Sequence, residues 1–169
     1  MKTLQKTQSW PAENVSTAVV AADGTVLGTG GEQQKRYPLA SVTKLLTAYA
    51  FQVALEEEAV GLDDPAGPEG STIRHLLAHT GGYDFGDRTV RYEPGTRRLY
   101  SNAGFEVLGE HLEQATGISF ADYLSEAVLE PLGMKDTALE GSPAAGAVST
   151  AADLSRFAAE LQAPQLISA

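Results

Sequence analysis

A serine and a lysine stand three positions apart in this sequence, where an extended stretch gives way to an apolar helix. Because positions i and i+3 of a helix share one face, the side chains of Ser41 and Lys44 should lie together. The free N–H groups at a helix start favour negative charge on an oxygen, and a partly buried lysine beside them can act as a base near neutral pH. This arrangement can turn the serine hydroxyl into a nucleophile, although the spacing alone does not establish it. The alternative is that Ser41 caps the helix while Lys44 extends into solvent.

A second polar pair, Tyr100 and Asn102, precedes another predicted helix. Tyr100 could complete a proton relay with the serine and the lysine, provided that it lies within hydrogen-bond reach of them. Residues 83–99, just before this pair, hold glycine, aspartate and proline at intervals and predict a long surface loop, a kind of segment that is often functional. The aromatic residues of this loop could line a cleft or pack the loop down, and the sequence leaves both interpretations open: Tyr83, Phe85 and Tyr92.

The elements that must position these residues follow an α+β pattern. Residues 15–22 and 25–29 are β-branched runs joined by Asp23-Gly24, and they predict a β-hairpin over 15–30. Everything later reads as helix or loop, beginning with a helix over 41–60 that is apolar almost all round and should lie in the core. Capping side chains predict the starts of further helices at Ser71 or Thr72, Ser119 and Thr150, and another helix should follow Asn102.

Two strands alone make a poor sheet. A lone hairpin is marginally stable in water and leaves an open edge. Either residues 3–9 supply a third strand, or the remaining strands are missing from this chain, and the lack of any later strand pattern favours the second. The sequence therefore predicts residues 1–169 to be one incomplete domain, with a hairpin at 15–30 and a helical part at 41–168.

Composition excludes several classes of function. The sequence has 169 residues, 43% of them hydrophobic and 20% charged, which is typical of a globular domain. A net charge of −10 argues against a nucleic-acid partner, because phosphates require clustered basic residues. The absence of cysteine excludes disulfides, zinc–thiolate sites and thiol nucleophiles. No apolar run is long enough to span a bilayer, so no membrane partner is expected.

Neither a secretory signal nor a metal site is predicted. Residues 1–16 lack the apolar core of a signal, which favours a cytoplasmic location; a periplasmic or secreted one would follow if Met1 stood after a removed leader. His75 and His79 have the spacing of metal ligands on a helix, but no glutamate lies between them, and His111 falls in another predicted helix. We therefore expect no metal and no cofactor, and a capping or core role for His79.

Five segments in their order along the chain resemble the serine β-lactamase and penicillin-binding-protein superfamily. The resemblance is strongest to its branch of class C β-lactamases, D-alanyl-D-alanine carboxypeptidases and esterases. The segments are 39–44, 73–82, 93–102, 131–134 and 148–154. The Ser-x-x-Lys signature in the first is a known catalytic motif, and five ordered segments are far more specific than it is alone. The resemblance covers roughly residues 15–168 and implies a β-lactamase/transpeptidase-like fold, mostly helical with an N-terminal β-hairpin.

The resemblance also implies roles for the polar residues. Ser41 would be the acylated nucleophile. Lys44 and Tyr100 would share the proton transfers. Asn102 would hold the amide or ester side chain of the substrate and hydrogen-bond to Lys44. The reaction would have two halves, in which the serine first expels a leaving group and water then cleaves the acyl-enzyme.

The sequence departs from the family at a third motif. Relatives carry Lys or His followed by x-Gly on a later strand, which supplies one N–H of the oxyanion hole, while the N–H of Ser41 supplies the other. Neither His111 nor Lys135 fits this pattern. We therefore expect the N-terminal portion only, without the C-terminal strands of the sheet, completed by a second polypeptide or a second copy. The chain alone should turn over poorly, because losing one oxyanion donor costs about 10²–10³ in rate.

These observations predict a serine hydrolase that forms an acyl-enzyme on Ser41 and acts on a small-molecule ester, amide or β-lactam. The missing signal favours a cytoplasmic ester or small amide over cell-wall peptides. A β-lactamase or a D-alanyl-D-alanine carboxypeptidase is the alternative within the enzyme class. A different class of function is a non-catalytic ligand-binding or assembly module, which would keep the first two motifs and lack the third.

Overall fold

Two small β-sheets and six α-helices make up the part of the chain that the structure, a computed structural model, describes: residues 2–7 and 9–168. Met1, Gln8 and Ala169, which belong to the predicted 1–169 domain, lie outside the described residues. In chain order the elements are α1 (Lys2–Thr7), β1 (Thr17–Val20), β2 (Val26–Gly30), β3 (Tyr37–Pro38), a 3₁₀ turn (Ala40–Val42), α2 (Thr43–Glu56), α3 (Ile73–Leu77), α4 (Asn102–Thr116), α5 (Phe120–Leu124), a π-helical turn (Ser125–Leu129), β4 (Ala138–Leu139), β5 (Ala147–Ser149) and α6 (Ala151–Gln162). The predicted α+β, mostly helical architecture is confirmed.

The predicted hairpin is also confirmed. β1 and β2 pair antiparallel, with Thr17 opposite Gly30. The Asp23 carboxylate accepts the Thr25 N–H at 3.0 Å, and Gly24 has a φ of 82°. Because an L-residue with a Cβ rarely adopts that φ, the Asp-Gly pair suits this turn, as the sequence indicates.

The N-terminus adds a helix to this hairpin. Residues 2–7 form α1, which contacts both strands, so the interpretation that residues 3–9 supply a third strand is wrong for the residues described there. A Cβ on Gly28 would lie 2.9 Å from Leu4 Cδ1, which shows how closely the helix covers β2. Within the described ranges the β1–β2 sheet therefore has two strands.

A second sheet, of strand order β3-β5-β4, contradicts the prediction that everything after residue 31 is helix or loop. Tyr37 pairs with Ser149 and Pro38 with Val148, so its partners come from distant parts of the chain. Its strands are only two or three residues long. Strands this short contain no alternating run that a sequence pattern can detect. The sheet fixes the segment before the 3₁₀ turn against the segment before α6.

The helix predicted over 41–60 begins as the 3₁₀ turn, continues as α2 and ends early, at Glu56. Leu46 is fully buried, as the apolar pattern predicts. Val42 and Leu45, however, are 43% and 54% exposed, so the prediction of a helix buried on nearly every face is wrong at its start. Thr43 and Lys44 beside them are buried, so the start of α2 has one face in the core and one face exposed.

Three of the later helices begin where their capping residues predict, whereas the N-cap of α4 is Ser101, a cap that was not predicted. The predicted N-caps of α3, α5 and α6 are Thr72, Ser119 and Thr150. The last two accept the backbone N–H three positions on, each at 3.1 Å, which satisfies a donor that the helix itself leaves free. The π-helical turn after α5 has no counterpart in the sequence prediction. No helix in residues 2–7 and 9–168 is long and apolar enough to cross a membrane.

Candidate active site

Ser41 lies in the 3₁₀ turn and its side chain is exposed. The preceding Ala40 has a φ of 44°, a left-handed conformation that is uncommon for a residue with a Cβ. The turn is anchored by the Leu39 N–H, which donates to the Ala147 carbonyl at 2.8 Å. The interpretation that Ser41 caps the helix is wrong, because the N-cap of α2 is Val42 and no side chain makes a capping bond there. The hydroxyl is therefore available to a substrate.

The Lys44 ammonium is buried and held by three acceptors. The residue is 5% exposed, and its Nζ lies 2.6 Å from Asn102 Oδ1, 2.8 Å from the Ala144 carbonyl oxygen and 3.4 Å from Ser41 Oγ. The interpretation that it extends into solvent is therefore wrong. A buried ammonium is stable only when its N–H groups are paired, so these contacts set where Nζ lies. Lys44 and Ser41 come together as their spacing predicts.

The Tyr100 ring lies beside the same ammonium. Lys44 Nζ is 4.7 Å from the centre of this ring. Burial raises the pKa of the Tyr100 phenol; the Lys44 ammonium, the Ser41 hydroxyl and the charge of Arg98 lower it, and the net result is a pKa below the ordinary value. A lowered pKa makes the phenolate easier to form near neutral pH, so this group can take part in proton transfer at the serine.

The start of α4 brings Asn102 to the lysine. The Ser101 hydroxyl donates to the Asp84 carbonyl at 2.6 Å, and the Asn102 N–H donates to the Phe85 carbonyl at 2.7 Å. These two bonds tie the long surface loop to the helix start. Because these bonds fix the backbone of Asn102, its carboxamide is held in contact with Lys44.

The third acceptor of the lysine, the Ala144 carbonyl, has no signal in the sequence. It belongs to a segment that α2 holds with two fully buried threonines: Thr47 donates to the Pro143 carbonyl at 2.7 Å, and Thr43 Oγ1 accepts the Ala147 N–H at 3.1 Å. Because a backbone carbonyl can come from any residue type, only the fold shows which one faces Lys44.

The aromatic residues of the long loop divide between the two interpretations. Tyr83 is buried at 9% exposure and packs the loop down. Phe85 is 56% exposed and stacks against Tyr100, with ring centres 6.0 Å apart and planes inclined by 24°. Tyr92 is 37% exposed and lies against the Arg97 guanidinium. Phe85 is thus the loop aromatic that borders the candidate site.

His75 and His79, which have the spacing of metal ligands, both use Nδ1 to accept a backbone N–H. The donor is Thr72 for the first and Ser101 for the second, each at 3.2 Å. Across residues 2–7 and 9–168, no group of three or more His, Cys, Asp or Glu side chains is placed to hold a metal ion. The backbone bond of His79 agrees with the predicted capping or core role.

Several known proteins are similar to this chain in sequence or in structure. A family model described as Beta-lactamase matches residues 12–169. The chain is 30% identical over 134 residues to penicillin-binding protein 4* of Bacillus subtilis, covering 60% of this chain and 30% of that protein. It is 29% identical over 142 residues to the D-alanyl-D-alanine-carboxypeptidase/endopeptidase AmpH of Escherichia coli, covering 62% of this chain and 37% of that protein. The crystal structure of a beta-lactamase from Mycobacterium bovis has a TM-score of 0.96 at 50% identity, covering 98% of this chain and 62% of that one.

These relatives are longer than this chain. The chain spans about a third of the length of the two curated relatives and less than two thirds of the Mycobacterium bovis structure. The range matched by the family model contains all five segments on which the resemblance was based.

Proposed function

Because the chain belongs to the beta-lactamase family, we propose that it carries the nucleophile and the base of a serine hydrolase. The predicted resemblance and the β-lactamase/penicillin-binding-protein fold are confirmed by the family match and the Mycobacterium bovis structure. In the proposed reaction Ser41 is acylated. Lys44 and Tyr100 move the protons, and Asn102 orients both the lysine and the substrate.

One observation carries the proposal: a buried ammonium lies between an exposed serine hydroxyl and a carboxamide. Lys44 makes its short bonds to neutral acceptors, Asn102 at 2.6 Å and Ala144 at 2.8 Å, and its longer contact to Ser41 at 3.4 Å. A buried lysine with a purely structural role is usually paired with a carboxylate, because an unpaired buried charge is costly. A lysine held by neutral groups can instead gain and lose a proton during a reaction, which favours a chemical role.

In the first half-reaction the Ser41 oxygen attacks the carbonyl carbon of the substrate. The pair formed by Lys44 and Tyr100 reacts with one proton fewer than a phenol beside an ammonium, so it has a lone pair for the serine proton. A bond forms between Oγ and the carbonyl carbon, the serine proton passes to that lone pair, and the carbonyl electron pair moves onto oxygen. The tetrahedral intermediate then collapses, the bond to the leaving oxygen or nitrogen breaks, and the pair returns the proton to the leaving group. The products are an acyl ester on Ser41 and an alcohol or amine.

In the second half-reaction water attacks the acyl ester. The proton of the water passes to the same pair and from there to the departing Ser41 oxygen, which releases the acid and restores the serine. The substrate class that we propose is an ester or a small amide. The relatives described as a beta-lactamase and a D-alanyl-D-alanine-carboxypeptidase add two candidates to it, a β-lactam and a D-alanyl peptide.

We further propose that backbone from outside residues 1–169 completes the site. The Ser41 N–H would supply one oxyanion donor, and no Lys-x-Gly or His-x-Gly follows Asn102 in this sequence. In the described residues the β1–β2 sheet has two strands, and Val26 and Leu27 of β2 are 47% and 54% exposed. A strand added to this sheet is the proposed source of the second donor.

Intact mass spectrometry after incubation with a fluorophosphonate tests the nucleophile. The full-length protein that contains this chain should gain one adduct, mapped to Ser41, and Ser41→Ala should gain none. Ser9→Ala removes another exposed serine and should label like the unaltered protein. An adduct that persists in Ser41→Ala overturns the proposal. A folded protein that gains no adduct from the fluorophosphonate or from a penicillin favours the non-catalytic module.

A further inference from the structure

His79 touches the segment that carries Tyr100 at three points. Its carbonyl oxygen accepts the Leu99 N–H at 2.8 Å, and its Nδ1 accepts the Ser101 N–H at 3.2 Å. Its ring lies 4.5 Å from the Tyr100 ring between centres, with the planes inclined by 35°. The two hydrogen bonds therefore hold the residues on either side of Tyr100, and the ring contact holds Tyr100 itself.

We propose that His79 is a positioning residue for Tyr100, fixing the phenol beside Lys44 so that it can exchange a proton with Ser41. This proposal rests on the hydrolase function proposed above, because it concerns the same site. His79 acts through Tyr100 in this role and exchanges no proton with the substrate.

The backbone of His79 supports a role beyond ending a helix. Its N–H donates to the Leu76 carbonyl at 3.0 Å just after α3, and its φ is 59°. Glycine and asparagine tolerate this left-handed conformation best, and either would end the helix with less strain. The turn itself therefore does not require a histidine. The contacts of His79 to residues 99–101 point to a role in holding that segment.

The ring is neutral, which suits a position so close to an ammonium. Nδ1 accepts a backbone N–H, so the ring proton of the neutral form is on Nε2. Burial, followed by the charges of Arg98 and Lys44, lowers the pKa of His79 to about 4. The ring also lies 5.1 Å from the Phe105 ring. It therefore works as an aromatic spacer and hydrogen-bond acceptor without adding positive charge beside Lys44.

His75 provides a matched control. It lies in α3, four residues before His79. Its Nδ1 accepts the Thr72 N–H at 3.2 Å, which is also the distance at which His79 Nδ1 accepts the Ser101 N–H. The bond of His75 closes the start of α3, whereas the bond of His79 holds the segment with Tyr100. Removing either histidine thus deletes the same kind of bond, but only one deletion should affect the chemistry.

The experiment compares acylation by a fluorophosphonate with thermal melting in the full-length protein. His79→Ala removes the acceptor and the ring; His79→Asn keeps an acceptor and suits the left-handed backbone but lacks the ring. We expect His79→Ala to lower the second-order rate constant at least about tenfold, since small displacements of catalytic groups cost up to about 10²-fold. We also expect the acid limb of its pH–rate profile to move to higher pH, because Tyr100 loses its fixed place beside Lys44.

The remaining variants separate positioning from general stability. His79→Asn should fall between the unaltered protein and His79→Ala, and it decides the test if His79→Ala does not fold. His75→Ala should melt at a lower temperature and keep the rate and pH profile of the unaltered protein. Unchanged rates and pH profiles in the His79 variants overturn the proposal, as does an equal loss of rate in His75→Ala.

A second readout keeps this proposal separate from the hydrolase proposal. If the unaltered protein forms no adduct on Ser41, the hydrolase function fails while His79 remains testable. Ultraviolet titration of the Tyr100 phenol, with Tyr100→Phe as the blank, should then give a higher pKa in His79→Ala than in the unaltered protein. An identical titration overturns the role of His79.

Discussion

The carboxamide oxygen of Asn102 accepts a 2.6 Å hydrogen bond from the Lys44 ammonium across 58 positions of sequence. This bond joins the start of α4 to the start of α2, so it assembles two motifs that are separate in the chain. Charge-assisted bonds of this kind are stronger than neutral ones, and burial removes the competition from water. Asn14 and Lys35 form the same chemical pair at the surface.

Asn102→Ala should slow acylation of Ser41 by about 10–10²-fold, because Lys44 loses the acceptor that orients it. It should also lower the free energy of unfolding by about 1–3 kcal/mol, since a buried donor is left unpaired. Asn14→Ala is the control and should change neither quantity, because Asn14 is exposed and its bond to Lys35 lies at the surface. Labelling kinetics and urea unfolding measure the two effects. Equal behaviour of the two variants would contradict the role of Asn102.

Lys44→Met should lower the acylation rate by about 10²–10⁴-fold, the range expected when a general base is removed. Methionine has a similar length and no charge, so it keeps most of the packing around α2. The Asn102 and Ala144 oxygens lose their donor, however, and unfolding should cost about 1–3 kcal/mol less. Lys135→Met, at an exposed lysine, should label normally. A Lys44→Met protein that is folded and acylated at the normal rate would rule out this lysine as the base.

Gly82→Ala should destabilise the protein more than Gly70→Ala, although both glycines have positive φ, 92° and 79°. A Cβ on Gly82 would lie 2.2 Å from the Tyr92 carbonyl oxygen, whereas a Cβ on Gly70 meets nothing within 4 Å. Gly70→Ala should cost about 1 kcal/mol from the backbone alone, and Gly82→Ala about 1–3 kcal/mol more from the clash. Urea unfolding measures both. Equal losses of stability in the two variants would show that the loop moves to relieve the clash at no cost in free energy.

His79 should make stability fall as the pH is lowered. The pKa of His79 falls from 6.5 to about 4 on folding, so between these values the unfolded chain binds a proton that the folded protein excludes. Its contribution to stability is therefore complete above the higher value, is lost as the pH drops towards about 4, and is constant below. Because the ring is only half-buried, solvent screens part of this effect, and the loss should be about 1–3 kcal/mol. His79→Asn should lack this component, and parallel stability curves for the two proteins would contradict it.

Local patterns accounted for the parts of the fold that depend on neighbouring residues. Asp23-Gly24 predicts the hairpin turn because the turn needs a left-handed residue at one place. Thr150 and Ser119 predict helix starts because a side-chain oxygen satisfies a nearby free N–H. The spacing of Ser41 and Lys44 predicts their contact for the same reason, since one helical turn brings them together.

Contacts between segments that are distant in the sequence could not be predicted from local patterns. The pairing of Tyr37 with Ser149 involves strands too short to show an alternation, and the left-handed Ala40 has no compositional signal. The Ala144 carbonyl that faces Lys44 is a backbone atom, which every residue type carries. The ring of His79 could be assigned a core role, but its contact with Tyr100 depends on where the long loop returns to the fold.

The sequence by itself determined which chemical groups this protein has and in what order, because residue types and spacings are enough to identify a candidate nucleophile, a base and a resemblance to a family. The tertiary structure alone decided which of those groups are exposed, which are buried and which hydrogen bonds they make. In the folded protein Ser41 is exposed and Lys44 is buried. The Lys44 ammonium donates to the neutral oxygens of Asn102 and Ala144 and does not extend into solvent. Burial and orientation depend on every segment that packs around a residue, and no spacing along the chain contains that information.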